Sequence, residues 1–477
     1  FHFFQGKTDI STVNREENVF LRENSCICAY EYFNLILERK SMTQETINTK
    51  SVKLPNLMKY LLIYLCITVF LCFFFLFHFN IRNPLLLLFY ISAYHLALWV
   101  GYKAACKSDL RKYPVLAPPS FSRKDKIVLK RVIIIGLIFD VLLLVLVCGT
   151  VNPTGILEKV MEGINSPSTR YDNAFIEGNA RGSSIASLMV TFGMPITIMA
   201  LILSIYFYSN LSRGYKFCTI ILYFTHLCYC LTQGANEGIF DIAIYIGVAL
   251  YLRLQNQNVN RQRLHIKKKK KIMLIIAVGI LMYIAFSFFT ENIIGRTQAN
   301  FAFGTLGENY YDKNAAINKY IPAGLYITFV YLTAYLCEGY YGMSLATTLE
   351  WVPNWGMGFS PFIRNNLSDI LGVDLFANSY QVRIDEVYDW GALRNFHTAY
   401  TFWANDVGYI GVIFIMFILG YVFGKCYRAS VLRQSKSAII MMPLLVTMIF
   451  YLPANNKIFV QPASMLLMVY LAGYEFL

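Results

Sequence analysis

Between Glu350 and His397 the basic residues are Arg364, Arg383 and Arg394, with no lysine among them. Guanidinium groups bind phosphate or carboxylate with two parallel hydrogen bonds, so an arginine-only segment points to anion recognition rather than general basicity. Arg394 and His397 are three residues apart and share one face if the chain is helical there. A basic pair of this kind suits a pyrophosphate and a general base. Asp406 follows about three turns beyond Arg394. An ionisable residue inside an apolar span is a functional candidate by default, with packing through a hydrogen bond as the plain alternative. Arg383 lies near Asp385, Glu386 and Asp389, so an internal salt bridge competes with ligand binding there. Arg181, between glycines in GNARGSS, stands near the start of a span, at the depth of a lipid headgroup. Arg170 reads as a solvated loop arginine.

Four of the five tryptophans, Trp351, Trp355, Trp390 and Trp403, fall in the stretch Glu350 to Gly411. The rings of Trp355, Trp390, Tyr400 and Trp403 suit the flat faces of sugars. An interfacial aromatic belt would also account for Tyr400 and Trp403. No nucleotide, hydrolase or metalloprotease fingerprint stands in a credible context, and no Cys/His cluster has zinc spacing, so neither a cofactor nor a metal is expected. The eleven cysteines lie mostly in apolar runs and imply no disulfide framework.

These residues need a frame, and composition says which kind. The chain has 477 residues, 56% of them hydrophobic and only 15% charged. The mean hydropathy is +0.47. The pattern is that of an all-α polytopic membrane protein with the lipid bilayer as partner. Spans are expected near 60–79, 84–101, 132–151, 185–208, 217–232, 239–252, 272–290, 398–424, 437–452 and 458–477. Eight Lys and Arg precede the first span, and nine, two, eight and four occupy alternate loops, 31 of the 42 in all. That asymmetry sets the loops and the N-terminal segment 1–59 on the cytoplasmic side. The run Lys267 to Lys271 is then a topology determinant rather than a nucleic-acid patch. Residues 1–41, before Met42, are expected to be an upstream extension without a role.

Orientation constrains one more segment. Span 272–290 exits outside and span 398–424 enters from outside, so 322–349 cannot cross once. It reads as a re-entrant hairpin or an interfacial helix, with Glu338 and Gly339 marking a break. About ten to twelve transmembrane helices result. A seven-span scaffold covers 60–290, a long extracytoplasmic region 291–397 holds the loop 350–397, and three helices close the chain over 398–477. Asp140, His95 and His226 fall inside spans. A structural pair is expected there, with a proton relay as the alternative.

The stretch WGALRNFHTAYTFWANDVGYIG, with its histidine–threonine pair followed by aspartate and glycine at a span entry, resembles the O-antigen and capsule polymerases (Wzy), the oligosaccharide repeat-unit polymerases. YLTAYLCEGYYGMSLA resembles the segment before that family's long loop. The likeness covers most of the chain from about residue 55. It implies metal-independent glycosyl transfer at the outer face of a bacterial inner membrane, in a bundle like that of the GT-C glycosyltransferases. The substrate would be a glycan on undecaprenyl pyrophosphate, with a chain-length regulator and a flippase as pathway partners. Arg181, Arg383 and Arg394 would hold pyrophosphate, and His397 or Asp406 would act as base. One departure stands out: LTQGANEGIFD carries Asn236 and Glu237 where the family often has an arginine. An O-antigen ligase and a flippase of lipid-linked oligosaccharide are the alternatives.

Overall fold

Long uninterrupted apolar runs with few charges can satisfy their backbone only within themselves, and they fold as helices. The computed structural model describes residues 56–74, 77–108, 122–167, 169–170, 185–234, 236–259, 288–290, 305–306, 309–312, 319–392 and 395–476. The first half gives α1 (Leu57–Phe74), α2 (Pro84–Ser108), α3 (Arg123–Cys148) and the short α4 (Pro153–Asn165). Next comes α5, built from Ile185–Leu188, a π turn at Met189–Gly193 and Met194–Tyr206, then α6 (Arg213–Thr232) and α7 (Asn236–Val259). The second half gives α8 (Ala323–Ala346), α9 (Pro361–Leu371), α10 (Tyr380–Tyr388) and α11 (Ala399–Arg428). It closes with α12 (Lys436–Tyr451), α13 (Lys457–Val460) and α14 (Pro462–Phe476). A small antiparallel sheet pairs β1 (Phe77–His78) with β3 (Asn309–Tyr311), and β3 with β2 (Thr305–Leu306).

Every expected span carries a helix except 272–290, which lies outside the described residues apart from residues 288–290. Among the described residues, five helical segments are long and apolar enough to cross a membrane: Leu57–Phe74, Pro84–Lys107, Arg123–Cys148, Met189–Tyr206 and Ala399–Arg433. Between Ser437 and Tyr451 all of α12 is buried except Phe450. A helix apolar on all sides belongs at the centre of a bundle. α2 crosses α11 at close range. A Cβ on Gly101 would lie 2.0 Å from the Phe417 carbonyl oxygen, and one on Gly420 2.0 Å from that of Leu98, so only glycine permits the approach.

The two ends of the bundle differ. Arg428 Nη1 donates to the Cys106 carbonyl at 2.7 Å, Lys436 pairs with Asp125, and Gln434 Nε2 donates to Asn256 Oδ1 at 3.0 Å. These contacts gather the ends of α2, α7 and α11 and the starts of α3 and α12 at one basic end. The opposite end carries the small sheet and the segment 350–398.

α8 is one continuous helix, without a break at Glu338 and Gly339. Three of its hydrogen bonds lie toward the loop end: Cys337 and Tyr340 bond Thr68 near the end of α1, and Ser344 Oγ accepts from the Arg82 N–H. Gly339 admits the Pro453 carbonyl, 2.1 Å from where its Cβ would be.

The expected single span at 398–424 is interrupted. Gly408 has φ 65° and ψ 168°, a backbone state open essentially to glycine alone. The chain reverses there. Residues nine apart on a straight helix are about 13 Å apart. Yet Tyr94 packs its ring, tilted, 4.8 Å from that of Tyr400 and donates its hydroxyl to the Tyr409 carbonyl at 2.8 Å. The segment from Ala399 to Val407 thus folds back along the start of the longer helix that follows.

Candidate active site

The reversal at Gly408 brings Asn405 and Asp406 against the loop that follows α8. Asn405 is buried and ties two other segments to its own. Its carbonyl accepts from the Asn354 N–H at 3.0 Å and from Trp351 Nε1 at 3.3 Å. Its Oδ1 accepts from the Tyr380 N–H at 2.8 Å, and its Nδ2 donates to Gln381 Oε1 at 3.0 Å. Asp406 completes the clamp. Its Oδ1 accepts from Gly356 N–H at 2.8 Å and Gly358 N–H at 3.1 Å, the Phe359 N–H also faces the carboxylate, and Oδ2 is buried with no well-aligned hydrogen bond. The turn so held has Trp355 at φ 51° and Gly356 at φ 87°. Trp355 is 84% exposed, thrust outward on a strained backbone. A non-glycine residue kept in this region costs energy, and such outliers cluster at functional sites.

Arg383, on α10, makes no ion pair with Asp385, Glu386 or Asp389. Its Nη2 donates to the Glu350 carbonyl at 2.7 Å, and its Nη1 is buried and unpaired. The competing salt-bridge account is therefore not what the structure holds. Arg364, on α9, is buried with its guanidinium 3.7 Å above the Phe376 ring. Burial pulls it down to about 10, and its Nη1 is also unpaired.

His397 precedes α11 and is 3% exposed; neither ring nitrogen makes a well-aligned hydrogen bond, and the backbone of Gly391 is the polar group that faces the ring. Burial pushes its imidazole down to about 4, so it is neutral near pH 7. It packs against one face of α8. A Cβ on Gly342 would lie 3.2 Å from Trp390 Nε1 and 3.4 Å from His397 Nδ1. One turn earlier on that face, Glu338 points its carboxyl at the Phe396 N–H. Burial pushes this carboxyl up to about 8. Glu338 was legible in the sequence only as a break signal; its place beside the histidine depends on a contact some sixty residues distant.

Of the other expected ligands, Trp390, Tyr400 and Trp403 are buried in the helical core. Trp390 meets Tyr341 edge-on at 4.7 Å, and Trp403 stacks near Phe359 at 6.5 Å. The Nε1 atoms of Trp390 and Trp403 are unpaired. Tyr400 Oη lies 3.5 Å from His95 Nε2. Arg181 and Arg394 lie outside the described residues. Arg170 is fully buried, donating from Nε to the Thr232 carbonyl at 2.7 Å, rather than solvated.

Two further polar groups sit within the bundle. His226 Nδ1 is 2.7 Å from Asp140 Oδ1, and Thr225 Oγ1 donates to Asp140 Oδ2 at 2.7 Å. At the loop end, Lys457 pairs with Glu237 and, at 3.1 Å, with Asp241. Lys457 thus reaches Glu237 from 220 residues further along the chain.

Unpaired buried donors concentrate in this region: Asn354 Nδ2, Arg364 Nη1, Gln381 Nε2, Arg383 Nη1, Trp390 Nε1 and Trp403 Nε1. Against them stand the unpaired Asp406 Oδ2 and the His397 nitrogens. Buried polar atoms in native proteins are almost always paired, so a cluster of exceptions marks a place for water or ligand. Compared with known proteins, the chain matches no family model, no curated protein and no solved structure.

Proposed function

We propose that this chain polymerises lipid-linked oligosaccharide repeat units into a surface polysaccharide, by glycosyl transfer at the loop end of a membrane-embedded bundle of GT-C type. The observation that carries the reading is the excess of unpaired buried donors over acceptors between residues 354 and 406. Donors in a dry site suit an anionic, hydroxyl-rich ligand, and a sugar pyrophosphate is both. Arg383 offers Nη1 to the pyrophosphate, with Arg181 and Arg394 as further candidates. Neutral His397 takes the proton of the attacking hydroxyl, and the leaving pyrophosphate departs against guanidinium charge without a divalent ion. Asp406 serves mainly through the turn it holds, which presents Trp355 to a sugar face.

In this reading the donor is a growing glycan on undecaprenyl pyrophosphate and the acceptor a single lipid-linked unit, at the outer face of a bacterial inner membrane. Cells carrying Arg383→Ala, compared with wild type and a deletion at matched protein abundance, are expected to accumulate single repeat units on the lipid. Long chains left unattached in the deletion would make the protein a ligase. Single units trapped on the cytoplasmic side would make it a flippase.

A further inference from the structure

A lateral groove of about 680 Å³ runs between α1 and α2. Its walls are apolar and outward-facing: Ile63, Ile67 and Phe70 from α1, and Leu96 from α2, are 46%, 50%, 56% and 63% exposed. Both helices are long and apolar enough to cross a membrane, so the groove opens toward hydrocarbon. The α1 wall runs from Lys59 to Phe70, about 16 Å at 1.5 Å per residue. That is roughly half of a hydrocarbon core of about 30 Å, the depth of a single leaflet.

One end is charged. Lys59 lines the groove close to the start of α1. Trp99 lines it from α2, and Lys103 Nζ lies 4.5 Å above the Trp99 ring. Both lysines are exposed, and neither forms an ion pair with a described carboxylate. They lie toward the basic end, away from the loop-end site. Long lysines at span ends reach headgroup level, where anionic lipids are attracted to them. At the groove floor His95 meets Tyr400, three residues after His397.

We infer that this groove is a binding site for one anionic glycerophospholipid, its headgroup between Lys59 and Lys103 and one acyl chain along α1. Charge at the basic end and a one-leaflet length favour it over a polyprenyl chain, whose pyrophosphate would have to stand at the opposite end. The inference goes beyond the polymerase reading and rests on it only where a polyprenyl chain is set aside. Through His95 and Tyr400 an occupied groove would bear on the segment that carries His397.

Full-length protein in bilayer discs would be irradiated with phosphatidylglycerol or phosphatidylcholine carrying a photoreactive acyl chain, and the adducts mapped. Phosphatidylglycerol should label residues 59–70 and 95–99 at least five-fold more than phosphatidylcholine. In Lys59→Gln/Lys103→Gln, both changes on exposed side chains, the preference should fall below two-fold. Ile63→Trp, which fills the groove from a half-exposed position, should remove the label from both lipids. Equal labelling by the two lipids, or a preference that survives the double substitution, would overturn the site. So would a photoreactive polyprenyl phosphate that outcompetes phosphatidylglycerol at equal dose, which would reassign the groove to substrate.

Discussion

Two buried histidines in this molecule are treated in opposite ways. His226 shares Asp140 with Thr225, and both carboxylate oxygens are bonded at 2.7 Å. His397 is equally enclosed, yet neither of its nitrogens makes a well-aligned hydrogen bond, the Gly391 backbone alone facing the ring, and the neighbouring Trp390 Nε1 and the more distant Asp406 Oδ2 are unpaired. A closed network rigidifies the helices that carry it, here α3 and α6. An open one bears a standing cost that folding alone does not explain. The difference separates polar groups that hold the bundle from polar groups held ready by it.

The sharpest way to break that contrast is to remove one member from each. His397→Gln should lower polymer formation by about 10²–10⁴-fold, the usual contribution of a general base, with stability changed by about 1 kcal/mol or less. Asp140→Ala leaves His226 without its partner in a buried site, while Thr225 keeps the Leu222 carbonyl as acceptor. It should cost about 3 kcal/mol of stability while the folded fraction keeps near-normal activity. Denaturation in detergent, read beside glycan synthesis per folded molecule, checks both. If Asp140→Ala abolishes synthesis at full stability, the pair is a relay and the contrast fails.

A smaller effect distinguishes the two regions by pH. The Glu338 carboxyl, raised to about 8 by burial, holds a proton in the fold that an unfolded chain releases above about 4.5. Stability from this group is complete below pH 4.5 and declines as pH rises toward 8, by about 1.4 kcal/mol per unit. His397, depressed to about 4, acts with the opposite sign: between pH 4 and 6.5 the unfolded chain binds the extra proton, so stability rises with pH there. The two slopes oppose each other up to about pH 6.5, and Glu338 acts alone from there to 8. Wild type should therefore lose stability between pH 6.5 and 8, and Glu338→Gln should flatten that decline. A decline that persists in Glu338→Gln would place the proton elsewhere.

Much of the frame was legible from hydropathy, because a run that must satisfy its own backbone in lipid has little choice but helix. Each described span segment carries one. The arginine-only usage marked the stretch in which the unpaired guanidinium nitrogens of Arg364 and Arg383 are found. What could not be read has a common physical cause: it depends on contacts between segments far apart in sequence. Gly408 sits in a run that reads as continuous helix, and its reversal is set by the packing of Tyr400 and Tyr409 on Tyr94. Tyr400, Trp390 and Trp403 were expected to face sugars. Composition cannot tell an aromatic platform from an aromatic core, and these three lie in the core. Asn405 carried no signal, although it ties together the loop at Trp351, the start of α10 and the reversal itself.

Trp355 offers the smallest effect and a test in which two quantities move in opposite directions. Its side chain is 84% exposed, so little apolar burial is lost on truncation. Its φ of 51° is costly for tryptophan and free for glycine, a difference of about 1–3 kcal/mol. Glycine also gains freedom in the unfolded chain, which takes back about 0.5–1 kcal/mol. Trp355→Gly should therefore stabilise the fold by about 1 kcal/mol, whereas Trp355→Ala, which keeps the strained φ, should not. Both should shorten the polymer if the ring stacks on a sugar. A stabilised Trp355→Gly protein that makes chains of normal length would show strain without purpose at this turn. A destabilised one would mean that the ring packs against something in the membrane-bound state. In either case the turn that Asp406 holds would belong with the closed network of Asp140 rather than with the open one of His397.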